Sequence, residues 1–147
     1  MLQIVVKTFP EISSKELYAI LQLRSEVFVV EQDCVYQDID YKDEKALHVI
    51  GFKNDKIVAY ARIFKSGDYF KEASIGRVVV DKNERKFGYG HIIMNHAIEA
   101  IKSFFDEKII KISAQKYLKE FYESHEFIQV GKEYLEDGIP HIGMVKF

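Results

Sequence analysis

Arg77-Val-Val-Val-Asp-Lys-Asn-Glu-Arg-Lys-Phe-Gly-Tyr-Gly90 is the stretch on which the fold turns. It begins as a β-branched run suited to a buried strand and ends as a basic loop with two glycines. Behind it Tyr89, Ile92, Ile93, Ala97, Ala100, Ile101, Phe104 and Phe105 recur at helical spacing over Gly88–Phe105. A strand that feeds a long helix through such a loop builds an anion site, because the first-turn amides have no partners within the helix and the helix dipole favours negative charge. Gly88 and Gly90 keep side chains out of the way, and Lys82, Arg85 and Lys86 add positive charge. Glycines would serve a plain tight turn equally well, with Arg85 and Lys86 merely solvated. A Walker A loop is excluded because no Gly-Lys-Ser/Thr follows. The dinucleotide fingerprint fails too, since Ile93 stands where a third glycine or alanine is needed.

Outward from this stretch the chain alternates strand and helix patterns. Leu2–Phe9 reads as a strand stopped by Pro10, and Ser13 with Glu16 has the spacing of a capping box opening a helix over Ser14–Val30. Glu31–Lys45 breaks the pattern with Glu31, Asp33, Asp38, Asp40, Asp43 and Glu44, opposed only by Lys42 and Lys45. Ala46–Phe52 and Ile57–Phe64 flank Lys53-Asn54-Asp55-Lys56 as a hairpin, and Ser74–Val80 continues the meander. Beyond the long helix come a short strand, Ile109–Ala114, a helix, Tyr117–Ser124, and two closing strands, Phe127–Tyr134 and His141–Phe147, around an Asp137-Gly138 turn. This order predicts an α/β (α+β) sandwich with a mixed sheet, since its strand–helix–strand unit requires a parallel, right-handed crossover.

Composition narrows the function classes. A chain of 147 residues that is 48% hydrophobic can bury a sizeable core, and no linker, repeat or low-complexity tract divides it, so residues 1–147 are expected to form one domain. The net charge of -2 argues against binding nucleic acid through the overall field. The lone Cys34 can form no internal disulfide, and no export signal or membrane-length apolar run is present; a reducing, cytoplasmic setting and no membrane partner are expected. The acidic loop lacks the glycine and terminal glutamate of an EF-hand, so no metal is expected, and Cys34 has no evident base beside it and reads as a spectator.

Arg85-Lys-Phe-Gly88-Tyr-Gly90 resembles the R/Q-x-x-G-x-G/A loop of the GNAT superfamily of N-acetyltransferases, in the same place between strand and helix. The element order resembles the family over the whole chain. Val30–Asp40 and Glu136–Met144 are similar to signatures of its ElaA-like bacterial subgroup. The resemblance implies a mostly antiparallel seven-stranded sheet flanked by helices, with a splayed central strand pair, and acetyl-CoA as the cosubstrate. It also implies an amine acceptor, small molecule or peptide, and leaves homodimer formation open.

Residue by residue, it pairs the pantetheine arm with backbone groups of Val78 and Val80, with Val79 between them in the cofactor-binding strand, and puts the pyrophosphate on the amides of Lys86, Phe87, Gly88, Tyr89, Gly90 and His91, with Arg85 also cofactor-binding and Gln115 beside the pantetheine amides. Tyr122, otherwise readable as a core aromatic, corresponds to the tyrosine that protonates the departing thiolate. A strand-edge amide in the splayed gap would polarise the thioester carbonyl. Gln115 stands where many members have asparagine, and Glu126 where many have a glycine that leaves the helix.

Base and acceptor residues are less determined. His141 follows Pro140 in the subgroup motif and is a candidate base, whereas His48, set among apolar neighbours, reads as structural. Glu31, Gln32, Asp38 and Asp40 are expected on the acceptor side, where excess carboxylate would draw in cationic amines. The competing class is a coenzyme A-binding sensor or interaction domain that has lost turnover.

Overall fold

The computed structural model describes residues 1–147. Its seven strands are β1 (Gln3–Thr8), β2 (Leu47–Lys53), β3 (Lys56–Phe64), β4 (Ala73–Val80), β5 (Ile110–Gln115), β6 (Ile128–Glu136) and β7 (Ile139–Lys146). They form one sheet in the order β1-β2-β3-β4-β5-β7-β6. Its helices are α1 (Ser14–Ser25), α2 (Tyr89–Phe105) and α3 (Lys119–Glu123). Every ladder is antiparallel except β4–β5, the pair joined through α2. None of the helices is long and apolar enough to cross a membrane.

Local chemistry accounts for the elements. Ser13 accepts the Glu16 amide while the Glu16 carboxylate accepts the Ser13 amide, the capping box that starts α1. Asn54 and Asp55, both left-handed (φ 51° and 65°), turn β2 into β3, and Asp137 (φ 52°) with Gly138 (φ 77°) turns β6 into β7.

Alternation along the strands divides the core between the two faces. On one face Ile93, Met94, Ala97 and Ile101 of α2 pack on Val49, Ala59, Ala61, Ile63 and Ile75 within a cluster of 18 buried residues. On the other, Ile20 and Leu23 of α1 and the following Val27 pack on Ile50, Ile57, Tyr60 and Val79 in a cluster of 7. Since burying one such side chain contributes about 1.5–3 kcal/mol, the α2 face dominates stability.

The parity of β4 changes midway. Ala73 and Ile75 belong to the α2 side, but so do Val78 and Val80, while Val79 faces α1. One extra residue accounts for this: the β3–β4 register shifts between Tyr60 and Arg62, opposite Arg77, whose φ is +53°. A second irregularity lies after α1. The expected helix to Val30 ends as an α-helix at Ser25 and continues as a π-helix over Glu26–Glu31, with Gln32 N–H bonded to the Val27 carbonyl at 3.2 Å. The wider turn re-aims the residues that follow it.

Candidate active site

β4 and β5 are paired only at Ala73↔Ile110 and Ser74↔Lys111. Beyond those residues they diverge and open a cleft of about 740 Å³. One wall is Ile75–Val80 and the other is Ile112, Ser113 and Gln115. Arg85, Gly88, Gly90 and His91 stand at one end of the lining, and Tyr122, Glu136 and His141 also face the space. The splay leaves main-chain groups along the facing edges of β4 and β5 without ladder partners, which is what an extended amide-bearing ligand arm can use.

Gly88 caps α2 with a left-handed backbone (φ 71°), and no side chain caps the first turn. A Cβ placed on Gly88 would meet no protein atom within 4 Å, whereas one on Gly90 would lie 3.4 Å from the Phe121 ring. Gly88 is therefore set by its φ and by open space in front of it, Gly90 by packing. Two of the anticipated groups are already engaged. The His91 amide donates to the Gly88 carbonyl at 3.2 Å, and the Val80 carbonyl accepts from Arg85 Nε at 3.2 Å. Lys86, Phe87 and Tyr89 do not line the cleft. Tyr89 is buried, and Phe87 packs beneath the Lys53 ammonium, 4.1 Å from the ring centroid. His91 Nδ1 lies 2.9 Å from His125 Nε2, and burial together with His91 lowers the His125 pKa.

The end of the π-helix spans the cleft. Glu31 holds Arg85 through two bonds, at 2.5 and 2.7 Å, and the next residue, Gln32, exchanges side-chain amide bonds with Gln115 at 3.3 and 3.5 Å. The hydrogen bond from Arg85 lowers the Glu31 pKa. Tyr122 is buried, its hydroxyl makes no hydrogen bond within the protein, and burial, aided by Tyr117, raises its pKa. It thus stays protonated until a stronger base appears beside it.

His48 is structural. Its Nε2 donates to the Asp43 carbonyl at 2.9 Å, which leaves Nδ1 to accept the Tyr60 hydroxyl at 2.6 Å, and burial lowers its pKa. His141 differs: Nδ1 donates to the Ile139 carbonyl at 2.7 Å, and Nε2 lies 3.4 Å from Glu136.

Asp38 and Asp40 correct the expectation of a negatively charged acceptor wall. Neither lines the cleft, and both belong to a closed ring of alternating charge. Arg24 binds Asp38 (2.9 Å) and Asp43 (2.8 Å), Arg62 binds Asp43 (2.9 Å) and Asp40 (2.6 Å), and Arg77 binds Asp40 (3.4 Å) and Asp38 (2.8 Å). Tyr36 also donates to Asp38, at 2.7 Å. Arg24 and Arg62 are 0% and 1% exposed, and only Arg62 Nε among buried side-chain nitrogens and oxygens lacks a partner. Burial opposes ionisation of Asp40, yet the Arg62 contacts, the Lys42 amide and Arg77 bring its pKa down to about 2. With three arginines matched to three aspartates, the ring offers an incoming ligand no surplus charge.

Sequence reasoning missed this ring. One signal was present: Arg24 sits on the apolar stripe of Ile20, Leu23 and Val27, where a guanidinium must find partners. Nothing local marked Ser113 and Tyr134, which meet across strands at 2.5 Å.

Residues 9–147 match the acetyltransferase (GNAT) domain family. The chain is a GNAT acetyltransferase family member. ElaA of Escherichia coli (strain K12) is 47% identical to it over 138 residues, 92% of this chain and 90% of ElaA. The E. coli ElaA crystal structure superposes with a TM-score of 0.93 at 44% identity, over 100% of both chains. An acyl-CoA N-acyltransferase from Pseudomonas aeruginosa superposes with a TM-score of 0.94 at 38% identity, again over 100% of both. An aminoglycoside 6'-N-acetyltransferase complexed with coenzyme A shares the fold, with a TM-score of 0.72 at 15% identity over 97% and 96% of the two chains. This GNAT chain therefore has the architecture of acyltransferases that use acyl-CoA, with the splayed β4–β5 pair open.

Proposed function

We propose that residues 1–147 act as one acetyl-CoA-dependent N-acetyltransferase, moving the acetyl group to an amine by direct attack in a ternary complex. The observation that carries this reading is the splay of β4 from β5, which opens a slot beside the uncapped first turn of α2 with Tyr122 on its lining. The P. aeruginosa relative, named as an acyl-CoA N-acyltransferase, supports the same class of chemistry.

The residues fit the cosubstrate. The open volume before Gly88 and the first-turn amides other than that of His91 suit a pyrophosphate, and the edges of Val78–Val80 and Gln115 that face the gap suit the pantetheine amides once Arg85 releases the Val80 carbonyl. Pyrophosphate binding would compete with Glu31 for the Arg85 guanidinium, while Gln115 would exchange Gln32 for a pantetheine amide. When bound, acetyl-CoA supplies an activated thioester. A main-chain amide on the β4 edge polarises its carbonyl, and Tyr122 gives its proton to sulfur as the C–S bond breaks.

Tyr122→Phe removes the proton donor and almost no volume. The variant is expected to bind acetyl-CoA like the parent in calorimetry while kcat, read by thiol release, falls about 10² to 10⁴ fold. A kcat within about twofold of the parent removes Tyr122 from the mechanism. A parent that binds acetyl-CoA but acetylates no amine is instead a sensor.

A further inference from the structure

Resting on the acetyltransferase reading, we infer that Glu136 and His141 form the docking and deprotonation site of the acceptor, and that the acceptor presents a primary ammonium group. The two residues come together through the β6–β7 turn. Asp137 and Gly138 fold Glu136 opposite Ile139 and set His141 opposite Tyr134, while the β5 register puts Gln115 on the other side of His141.

The proton on His141 is located by its neighbour. A carbonyl only accepts, so the 2.7 Å contact with Ile139 puts the hydrogen on Nδ1 and leaves Nε2 of the neutral ring as a lone pair. His141 is 6% exposed, lines the cleft, and makes no hydrogen bond through Nε2, whose nearest charged atom is Glu136 Oε2 at 3.4 Å. With the ring neutral the two acceptors repel, until Nε2 takes a proton or an incoming donor satisfies both. A group with several N–H bonds and a positive charge does so, and an alkylammonium is such a group.

Both acceptors are held in place. Glu136 Oε1 receives the Ser113 hydroxyl at 3.1 Å, and Ser113 is bonded in turn to the Tyr134 hydroxyl. Tyr134 also stacks on the His141 ring, with centroids 6.1 Å apart and planes 25° from parallel. The charge balance of the cleft points the same way. Glu31 is neutralised by Arg85, the aspartates of the ring by arginines, and Glu136 has no lysine or arginine partner. Negative charge is thus left uncompensated where β6 turns into β7.

The step balances. The nitrogen loses two protons: the first passes to His141 Nε2 and on to solvent, while Glu136 holds a remaining N–H. The freed lone pair attacks the thioester carbonyl carbon, the C–N bond forms and the C–S bond breaks with its electron pair on sulfur. The second proton leaves to solvent and matches the one Tyr122 gives to sulfur and recovers.

Glu136→Gln and His141→Gln separate this site from the general reading when assayed by thiol release with butylamine, an ammonium at neutral pH, and p-anisidine, which is uncharged there. Both variants are expected to bind acetyl-CoA like the parent in calorimetry, which also reports that they are folded. Their kcat/KM for butylamine should fall about 100-fold or more, and the loss should exceed that for p-anisidine by at least about tenfold. Ser113→Ala, which frees the Glu136 carboxylate, should show the same selectivity in weaker form. Equal losses with the two amines, or no loss with butylamine, overturn the assignment. A parent that acetylates p-anisidine but not butylamine overturns it while leaving the acetyltransferase reading intact. If the parent acetylates neither, butylammonium is titrated into the parent's coenzyme A complex. Heat that Glu136→Gln abolishes upholds the docking site, and its absence in the parent overturns it.

Discussion

Behind the cleft, Arg24, Arg62 and Arg77 close on Asp38, Asp40 and Asp43 until each arginine has two carboxylate partners, and two of the arginines are sealed from solvent. Along the cleft the arrangement is looser. Arg85 rests on an exposed Glu31, Gln32 on Gln115, and Tyr122 Oη and His141 Nε2 have no hydrogen-bond partner in the protein. The contrast separates two uses of polar residues. A buried charge must be fully matched to be tolerated, and it then shapes the backbone; a group meant for a ligand must keep a donor or acceptor free. Arg77 links the two, since it closes the ring and carries the left-handed backbone at the β4 bulge that resets which valines face the slot.

Within the ring, Asp43 is the residue whose loss costs most. Asp43→Ala leaves Arg24 and Arg62 each one carboxylate short in a buried setting, and unfolding by urea should show a loss of about 3–5 kcal/mol. A loss below about 1 kcal/mol would mean that the ring is replaceable by solvent, as surface pairs are.

Acid tests the same ring without mutation. Asp40 has a folded pKa of about 2, below its ordinary 3.8, and that of Asp43 is lowered too, despite its burial, by Arg24 and Arg62. A carboxylate depressed on folding stabilises fully above its unfolded pKa and loses that contribution as pH falls through the folded one. Urea midpoints should accordingly hold near neutrality and drop between about pH 4 and pH 2, with a shallower drop in Asp40→Asn.

Two left-handed residues, Glu126 and Arg77, differ in what a glycine would do there. Glu126 leaves α3 with φ +71°, as Arg77 leaves the regular β4 ladder with φ +53°, but its carboxylate meets only Lys146 at 3.2 Å with 81% of the side chain exposed. Glu126→Gly should stabilise by about 1 kcal/mol in urea melts, because glycine takes this backbone without strain. Arg77→Gly relieves the same strain but opens the ring, and should destabilise.

Local pattern went far in this chain. The capping box at Ser13, the turns at Asn54-Asp55 and Asp137-Gly138, the helical period of Tyr89–Phe105 and the Arg85–Gly90 loop are short-range signals, and each marked its element. Even the departure at Glu126 was visible, since a glycine was expected at a position that proves to be left-handed. The π-helix was not, because its residues carry the same apolar spacing whether five or four residues close the turn.

The order of elements was legible in the sequence alone, because periodicity, caps and turns act over a few residues, whereas the roles expected of the Arg85–Gly90 loop and Tyr122 came from a family resemblance. Which charges are free emerges only from the fold. Asp38 and Asp40 read as an acidic surface until Arg24, Arg62 and Arg77, brought from α1, β3 and β4, neutralise them. Glu136 stands out only once those pairings are known. Electrostatic partnership depends on distances of a few ångströms between residues far apart in the chain, and only the folded geometry fixes those.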